Sequence, residues 1–172
     1  MNAKETDALL RKIAEGDNVA FEQFYIRTKN GVYAFLRSYF RNHADTEDAM
    51  QSVYLKVKRG IASYQAGTNG RAWLLQIAKN YALSELKKRR REVSTEEIEV
   101  VVEPAPIEGT VSDAMERVLS QEERRIVTLH ILWKYKHREI GEMLGCPTGT
   151  VTSKYKRAIK KLQEYLKEVE RS

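Results

Sequence analysis

The stretch GEMLGCPTGTVTSKYKRAIKKLQEYL, residues 141–166, decides the fold of the C-terminal part of the chain. Gly145 predicts the end of a short apolar helix, and Pro147 predicts the first turn of the next one. Gly141 is small enough for that next helix to cross closely. A helix, a glycine turn and a second helix are typical of the helix-turn-helix motif.

Helical periodicity divides the last helix into two faces. Its apolar face carries Val151, Tyr155, Ala158, Ile159, Leu162 and Leu166, and its opposite face carries Ser153, Lys156, Arg157 and Lys160, with Thr152 and Lys154 at the edges. Long cations bind phosphates or guanine edges, and hydroxyls bind bases or backbone. A solvated charged face is the alternative. The preceding turn and the basic chain favour a helix that reads the major groove of DNA.

One more helix precedes this pair. Ser120 followed by Glu123 forms a capping-box pattern, and apolar residues at helical spacing continue to Trp133. A short second helix is expected at about residues 136–144. The C-terminal part is therefore predicted to be entirely helical.

Composition indicates a globular chain with an acidic partner. The 172 residues are 42% hydrophobic, carry a net charge of +6 and include a single cysteine, Cys146. This excess of positive charge favours nucleic acid or a membrane surface as partner, but no apolar run is long enough to span a membrane. The lone cysteine excludes an internal disulfide, and the N-terminus lacks a signal-peptide core. We expect a cytoplasmic protein with no cofactor and no metal site.

The distribution of charge predicts three segments. Residues 1–91 carry a net charge of +8, residues 92–112 carry −6 with no basic side chain, and residues 113–172 carry +4. More than 20 irregular residues inside one compact domain would be unusual, so we interpret the middle segment as a flexible acidic linker, with a surface loop as the alternative. The fold class is therefore all-α, with two small helical domains, residues 1–91 and 113–172, joined by this linker.

The N-terminal domain is predicted to contain four helices, at about Glu5–Glu15, Asn18–Phe40, Asp45–Ser63 and Gly70–Arg91. Asp45 is the expected N-cap of the third, and Ala49, Val53, Val57 and Ile61 form its core-facing stripe. Leu55 lies about 180° away from that stripe, among polar neighbours. Such a helix either sits deep in a bundle or docks to another protein, and the polar neighbours favour docking.

A small-residue loop and a basic run flank the fourth helix. Tyr64 and Trp73 border the loop QAGTNG, and such a loop suits capture of an unpaired base by stacking and amide bonds; an ordinary loop with two core aromatics is the alternative. The helix ends in KKRRR, residues 87–91. This run is either a solvated helix end or a set of phosphate contacts.

Together these residues resemble an RNA polymerase sigma factor of the extracytoplasmic function group of the sigma-70 family. The resemblance covers about residues 8–91 and 112–168. DAMQSVYLKVKR resembles the polymerase-docking helix of the family, and YQAGTNGRAWLLQIAKNYALSELKKRRR resembles the segment that opens and reads the −10 element. EIGEMLGCPTGTVTSKYKRAIKKL resembles the region that reads the −35 element. The resemblance implies an initiation factor that binds polymerase core and opens promoters.

The resemblance also implies which residues carry each role. Polymerase contacts, to the clamp helices of the largest subunit, fall on Asp48, Gln51, Tyr54 and Leu55. Contacts to the −10 strand fall on Tyr64, Gln65, Ala66, Gly67, Thr68, Asn69, Gly70, Arg71, Trp73 and Asn80, with phosphate contacts from Lys87, Lys88, Arg89, Arg90 and Arg91. The −35 positions are Thr150, Thr152, Ser153, Lys154, Lys156, Arg157 and Lys160. Further expected partners are the polymerase flap, promoter DNA and an anti-sigma factor.

Four positions depart from the family pattern. Ser52 follows Gln51 where an acid is usual, Lys58 replaces a common aromatic, and Tyr54 replaces Phe. Thr152 stands where Arg or Lys is frequent, so the −35 sequence does not transfer.

Two other functions compete with this interpretation. An autonomous dimeric helix-turn-helix regulator would bind duplex DNA without polymerase through a self-complementary surface. An enzyme would need more than three scattered histidines, one cysteine and no phosphate loop or zinc-ligand spacing. We therefore expect a protein that is not an enzyme.

Overall fold

The computed structural model describes residues 2–93 and 111–171, and within these ranges the secondary structure is helical throughout, without strands. Contacts divide the chain into two compact units, with the boundary after Val102. The all-α prediction is confirmed. No helix in the described ranges is long and apolar enough to cross a membrane.

The first unit contains four α-helices near the predicted positions. They are α1 (Ala3–Ala14), α2 (Asn18–Arg37), α3 (His43–Gly60) and α4 (Gly70–Val93), with a 3-10 turn at Ile61–Ser63 after α3. Helix α2 ends three residues before the predicted Phe40. The hydroxyl of Ser38 donates to the carbonyl of Phe35 at 2.6 Å, and a tight turn through Tyr39 and Phe40 follows.

The start of α3 corrects the prediction that Asp45 is its N-cap. The cap is Asn42, whose side-chain oxygen accepts from the backbone N–H of Asp45 at 2.7 Å. Asp45 lies in the first turn, where its charge complements the helix dipole. Its carboxylate is then available for a partner in another helix.

The core of the first unit confirms most of the predicted stripe on α3. Ala49, Val53 and Val57 are buried, whereas Ile61 is only half-buried because it lies in the 3-10 turn. These side chains share the core with large residues of the other helices, chiefly Leu10, Phe24, Phe35, Leu36 and Leu74. Burial of this apolar surface is the main force that holds the four helices together.

The second unit also contains four α-helices: α5 (Val111–Val118), α6 (Gln121–Ile131), α7 (His137–Leu144) and α8 (Thr148–Arg171). Helix α5 was not predicted. The capping box at the start of α6 is confirmed. Ser120 Oγ accepts from the N–H of Glu123 at 3.2 Å, and the Glu123 carboxylate accepts from the N–H of Ser120 at 2.9 Å.

The turn between α7 and α8 depends on two glycines, as predicted. Gly145 ends α7 in the left-handed region at φ 68°, which glycine adopts without steric cost. A Cβ on Gly141 would lie 2.6 Å from the carbonyl oxygen of Cys146, so the turn backbone crosses directly over this residue. The close approach predicted for Gly141 is real, and its partner is the turn.

The apolar face of α8 is confirmed except at its end. Val151, Ala158 and Leu162 are buried, and Tyr155 and Ile159 are half-buried against α5 and α6. Leu166, at the end of this face, is 41% exposed. Tyr165, one residue earlier, packs against the core instead.

The segment interpreted as a linker, residues 92–112, lies mostly outside the described residues. At its described ends, Glu92 and Val93 belong to α4, and Val111 and Ser112 belong to α5. Helical structure therefore extends two residues into the predicted linker from each side.

Candidate protein-docking and nucleic-acid surfaces

The outer face of α3 carries an apolar groove. The groove has a volume of about 450 Å³, and its walls are Phe21, Tyr25, Met50, Gln51, Tyr54, Leu55 and Lys58. The Leu55 side chain is 54% exposed, as the helical pattern predicts, and Asp48 and Gln51 are exposed beside it. An exposed leucine next to aromatic walls is typical of a site for a partner helix.

Tyr54 forms the base of this groove. The residue is only 5% exposed, and its hydroxyl bonds to the Thr28 hydroxyl at 2.7 Å. Burial raises the pKa of Tyr54 well above its ordinary value. Its ring also makes edge-to-face contacts with Phe21, Phe24 and Tyr25. A partner can therefore reach the ring of Tyr54 but not its hydroxyl.

Lysine side chains lie over two aromatic walls of the groove. Lys58 Nζ lies 5.5 Å from the ring centroid of Phe21, and Lys29 Nζ lies 5.8 Å from that of Tyr25. Such contacts attract a cation to the ring face. Lys58, the departure from the family pattern, thus makes the rim of the groove basic.

The loop between α3 and α4 is exposed but well bonded. Gln65, Ala66, Gly67, Thr68 and Asn69 are exposed, whereas Gly70 is buried. The Thr68 hydroxyl donates to the carbonyl of Gln65 at 2.6 Å, and the Asn69 side chain accepts from the N–H of Ala72 at 3.1 Å. Asn69 thereby caps α4.

Asp7 of α1 also bonds to this loop, which no sequence pattern indicated. Its Oδ1 accepts from the Tyr64 hydroxyl and from the N–H of Gly67, each at 2.7 Å. The sequence offered only one indirect signal, a pair of acids, Glu5 and Asp7, early in an amphipathic helix. The structure thus adds α1 to the surroundings of the candidate −10 loop.

A second groove, of about 570 Å³, lies between α3 and α4. Its walls are Lys56, Gly60, Ser63, Trp73, Ile77, Asn80, Tyr81, Ser84 and Glu85. The fold thus brings Trp73 and Asn80, both assigned to the −10 strand, into one groove. The Trp73 and Tyr64 rings have centroids 5.2 Å apart, and Asn80 accepts from the Gln76 amide at 2.8 Å. Arg71, also assigned there, is half-buried.

The basic end of α4 divides into two kinds of side chain. Lys87, Lys88, Arg90 and Arg91 are exposed. Arg89 instead binds both carboxylate oxygens of Asp45, at 2.5 and 3.0 Å, and its Nε donates to Glu85 at 3.2 Å. The hydrogen bonds from Arg89 hold the pKa of Asp45 below its ordinary value. The guanidinium of Arg89 is therefore engaged in ion pairs within the fold, although its side chain is 40% exposed.

The outward face of α8 has the composition expected for DNA contact. Ser153, Lys156, Arg157 and Lys160 are exposed, as predicted, and Thr150 is half-buried. Lys154, by contrast, forms an ion pair with Glu122 of α6. Lys154 therefore reaches DNA only after that pair separates.

Thr152 is also bonded within the second unit. Its hydroxyl donates to the carbonyl of Thr148 at 3.0 Å and lies 3.0 Å from His137 Nδ1. Since one hydroxyl has a single proton, Nδ1 of His137 carries the hydrogen in the second bond. Thr152 thus ties the first turns of α8 to α7.

Two of the three histidines, which look scattered in the sequence, pack together here. The centroids of His130, His137 and Tyr155 lie 4.6–5.0 Å apart. His137 Nε2 is buried, with no hydrogen-bond partner in the described residues. Burial, then the neighbouring His130 and Lys156, lower the pKa of His137. His130 Nδ1 lies 2.8 Å from the carbonyl oxygen of Tyr135 and His137 Nδ1 lies 3.0 Å from the Thr152 hydroxyl, so both histidines bond within the second unit.

Two family models match this chain. Sigma-70 region 2 matches residues 24–92, and Sigma-70, region 4 matches residues 113–162. The first match contains the loop and the α3 groove apart from its wall residue Phe21, and the second contains α8 as far as Leu162. Helix α1 precedes both matched ranges.

Curated proteins of similar sequence match over almost their whole length. The chain is 30% identical to the RNA polymerase sigma factor CarQ of Myxococcus xanthus over 170 residues, 94% of this chain and 97% of that protein. It is 26% identical to the ECF RNA polymerase sigma factor SigK of Mycobacterium tuberculosis over 178 residues, covering 95% of each.

Solved structures show the same fold. The sigma factor RpoE in complex with the anti-sigma factor NepR from Bartonella quintana matches with a TM-score of 0.65 and 28% identity, over 86% of this chain and 96% of that chain. CnrH in complex with the cytosolic domain of CnrY matches with a TM-score of 0.63 and 19% identity, over 95% and 98%. The second likeness concerns the fold alone.

Proposed function

Since this chain belongs to the extracytoplasmic function group of the sigma-70 family, and is thus an initiation factor that binds RNA polymerase and selects promoters, we propose how its surfaces share that work. The first unit docks to polymerase and opens the −10 element, and the second reads the −35 element. The observation that carries this division is that the two exposed functional faces, the groove beside Leu55 and the cationic face of α8, lie in separate units.

Docking uses the α3 groove. We assign Leu55 and the aromatic walls to the clamp helices of the largest polymerase subunit, with Asp48 and Gln51 as polar contacts at the edge and Tyr54 as the base. Apolar anchors surrounded by polar residues supply most of the affinity in such interfaces. The basic rim formed by Lys29 and Lys58 favours an acidic patch on the partner.

Strand opening uses the loop 64–70 and the adjacent groove. Extruding a base costs a few kcal/mol. Stacking on an aromatic ring such as Trp73, at about 1–3 kcal/mol per base, and amide contacts from Asn69 and Asn80 offset that cost. Lys87, Lys88, Arg90 and Arg91 add salt-dependent phosphate contacts. We leave Arg89 out of this set because Asp45 and Glu85 bind its guanidinium.

Upstream recognition uses the exposed face of α8. Ser153, Lys156, Arg157 and Lys160 contact bases and phosphates of the −35 element, with Thr150 at the helix start. Thr152 and Lys154 act mainly by orienting α8, since their polar atoms are bonded to His137 and Glu122.

Two further partners complete the proposal. Ile131 and Leu132, exposed at the end of α6, provide an apolar patch in the second unit for the polymerase flap. An anti-sigma factor, as found with RpoE of Bartonella quintana, would cover the α3 groove until a signal releases it. We place the protein in the cytoplasm, beside polymerase and promoter DNA, and assign the chemistry of RNA synthesis to polymerase alone.

In vitro transcription on a random promoter pool tests this proposal. Purified core enzyme is supplied with the full chain, and the transcribed templates are sequenced. The expected result is enrichment of two short elements at −10 and −35. Tight, sequence-selective DNA binding without polymerase, together with no enrichment in its presence, would instead support a dimeric helix-turn-helix regulator.

A further inference from the structure

We propose that Asp7, in α1, is a positioning residue for promoter opening, because it holds the loop 64–70 in the shape that receives an unpaired −10 base. The inference rests on the proposed role of that loop. It adds a residue that lies outside both matched family ranges, the first of which begins at residue 24. Helix α1 would then take part in promoter opening as well as in packing.

The contacts of Asp7 join distant parts of the chain. Its Oδ1 accepts from the Tyr64 hydroxyl and from the N–H of Gly67, which lie 57 and 60 residues away in sequence. Its Oδ2 accepts from Arg11 Nε at 2.8 Å, one turn along α1. One carboxylate thus binds the first residue of the loop, the middle of its backbone and its own helix.

The surroundings of Asp7 favour its charged form. The side chain is only 14% exposed, and the N–H of Gly67, followed by the Tyr64 hydroxyl, lowers the pKa of Asp7. Hydrogen bonds to an ionised acceptor are shorter and stronger than those between neutral groups. An asparagine at position 7 would lack this charge and offer one acceptor oxygen in place of two.

The backbone of the loop is shaped to meet α1. Gly67, which donates to Asp7, has φ 83°, a conformation that favours glycine. A Cβ on Gly70 would lie 2.5 Å from Leu10 Cδ1 and 3.0 Å from Thr6 Cγ2. The loop therefore contacts α1 through Tyr64, Gly67 and Gly70.

This anchoring leaves the loop side chains exposed on a fixed backbone. Gln65, Ala66, Thr68 and Asn69 all face solvent. A loop held in its binding shape loses less conformational entropy when a ligand binds. Loss of the Asp7 bonds should therefore weaken capture of the base without removing any group that touches it.

The test compares holoenzymes assembled from purified core and full-length variants. Asp7→Asn removes the charge, Tyr64→Phe removes one donor, and Glu15→Gln is a matched control, an exposed acid just after α1. The probes are fork DNAs built from the strongest promoter of the random pool, with each of the four bases at the selected −10 position. Core affinity and transcription from duplex and pre-opened templates are also measured.

We expect Asp7→Asn to reduce discrimination between the four bases by about tenfold and to leave core affinity unchanged. The control variant Glu15→Gln should discriminate between the bases as wild type does. Transcription should fall on duplex templates and recover on pre-opened ones. The double variant with Tyr64→Phe should lose less discrimination than the two single losses combined, because both changes act on the bond between Tyr64 and Asp7. Unchanged discrimination, or equal loss on both templates with weakened core binding, would overturn the inference. A wild-type protein that itself shows no −10 preference would contradict the proposed function instead.

Discussion

Arg89, near the end of α4, binds both carboxylate oxygens of Asp45, in the first turn of α3, although the two residues are 44 positions apart. The guanidinium also lies 5.6 Å from the ring centroid of Phe40. This pair fixes the C-terminal end of α4 against the start of α3. It thereby sets the direction of the neighbouring cations that are proposed to contact phosphates.

Asp45→Ala should lower the free energy of unfolding of the first unit by about 1 kcal/mol, since solvent partly screens the pair. Arg89→Met should have a similar effect, and the double variant should cost little more than either single change. Chemical denaturation measures these differences, with Lys88→Met, an exposed lysine, as the control. If the loss of stability in the double variant equalled the sum of the two single losses, the interaction between Asp45 and Arg89 would contribute nothing to stability.

The same pair predicts how acid affects stability. Because the pKa of Asp45 is lowered in the fold, its contribution is present above the ordinary aspartate pKa of about 3.9. It is lost as the pH falls through the lowered value. Wild type should therefore lose stability in acid more steeply than Asp45→Ala, and parallel curves would contradict this.

Leu55→Asp should abolish co-purification with polymerase core and leave the fold intact, because Leu55 is exposed in the groove and packs little within the unit. Leu83→Asp is the matched control, since Leu83 is 48% exposed on α4 and outside the groove walls. Pull-down and circular dichroism measure the two properties. An unchanged pull-down for Leu55→Asp would remove the docking assignment.

Arg157→Ala should weaken −35 recognition by about 1–3 kcal/mol. The expected cause is the loss of contacts from an exposed cation on the outward face of α8. Arg171→Ala, at the exposed end of the same helix, provides the control. Holoenzyme affinity for matched and scrambled upstream elements is the measurement. If the ratio of the two affinities does not change, Arg157 does not read bases.

His137 should make the second unit sensitive to mild acid. The pKa of His137 is lowered in the fold, so the unfolded chain binds a proton first as the pH falls. The contribution of neutral His137 to the stability of the second unit should be fully present above the ordinary histidine pKa of about 6.5. It should decline as the pH falls from that value toward the lowered pKa of the folded state.

The charged groups that face His137, His130 from α6 and Lys156 from α8, oppose its protonation. The neutral ring of Tyr155 in α8 also packs against it. In α7 the adjacent side chains are basic, and Glu139 is bonded to the N–H of Lys136. His137→Asn keeps a donor for Thr152 but does not titrate. Hydrogen exchange of α7 and α8 from pH 7 to pH 5 should show protection falling in wild type but not in this variant. Equal loss of protection in wild type and in His137→Asn would refute the role of His137. His43→Asn, in the first unit, is the control, and its α7 and α8 should lose protection as in wild type.

Local patterns determined the helices and the turn of the helix-turn-helix motif. The capping box at Ser120 and Glu123, the stop at Gly145 and the outward position of Leu55 all follow from residues a few positions apart along one helix. Such relations are visible in the sequence because the helical repeat fixes them. Helix α5 was missed because it directly follows the acidic segment and is only eight residues long.

The bonds of individual polar residues did not follow from local patterns. Asp45 looked like a helix cap, but Asn42 caps α3 and Asp45 binds Arg89. Thr152 and Lys154 looked like base readers, but each is bonded to another helix of its unit.

The sequence by itself therefore determined that this protein is helical, that it carries a helix-turn-helix motif, and which faces are exposed. Only the tertiary structure decided which polar side chains are free to meet DNA and which bind the protein itself, as with Asp7 and the loop 60 residues away. The physical reason is distance along the chain. Helical periodicity acts over a few residues, whereas these pairs form only when apolar packing brings separate helices together.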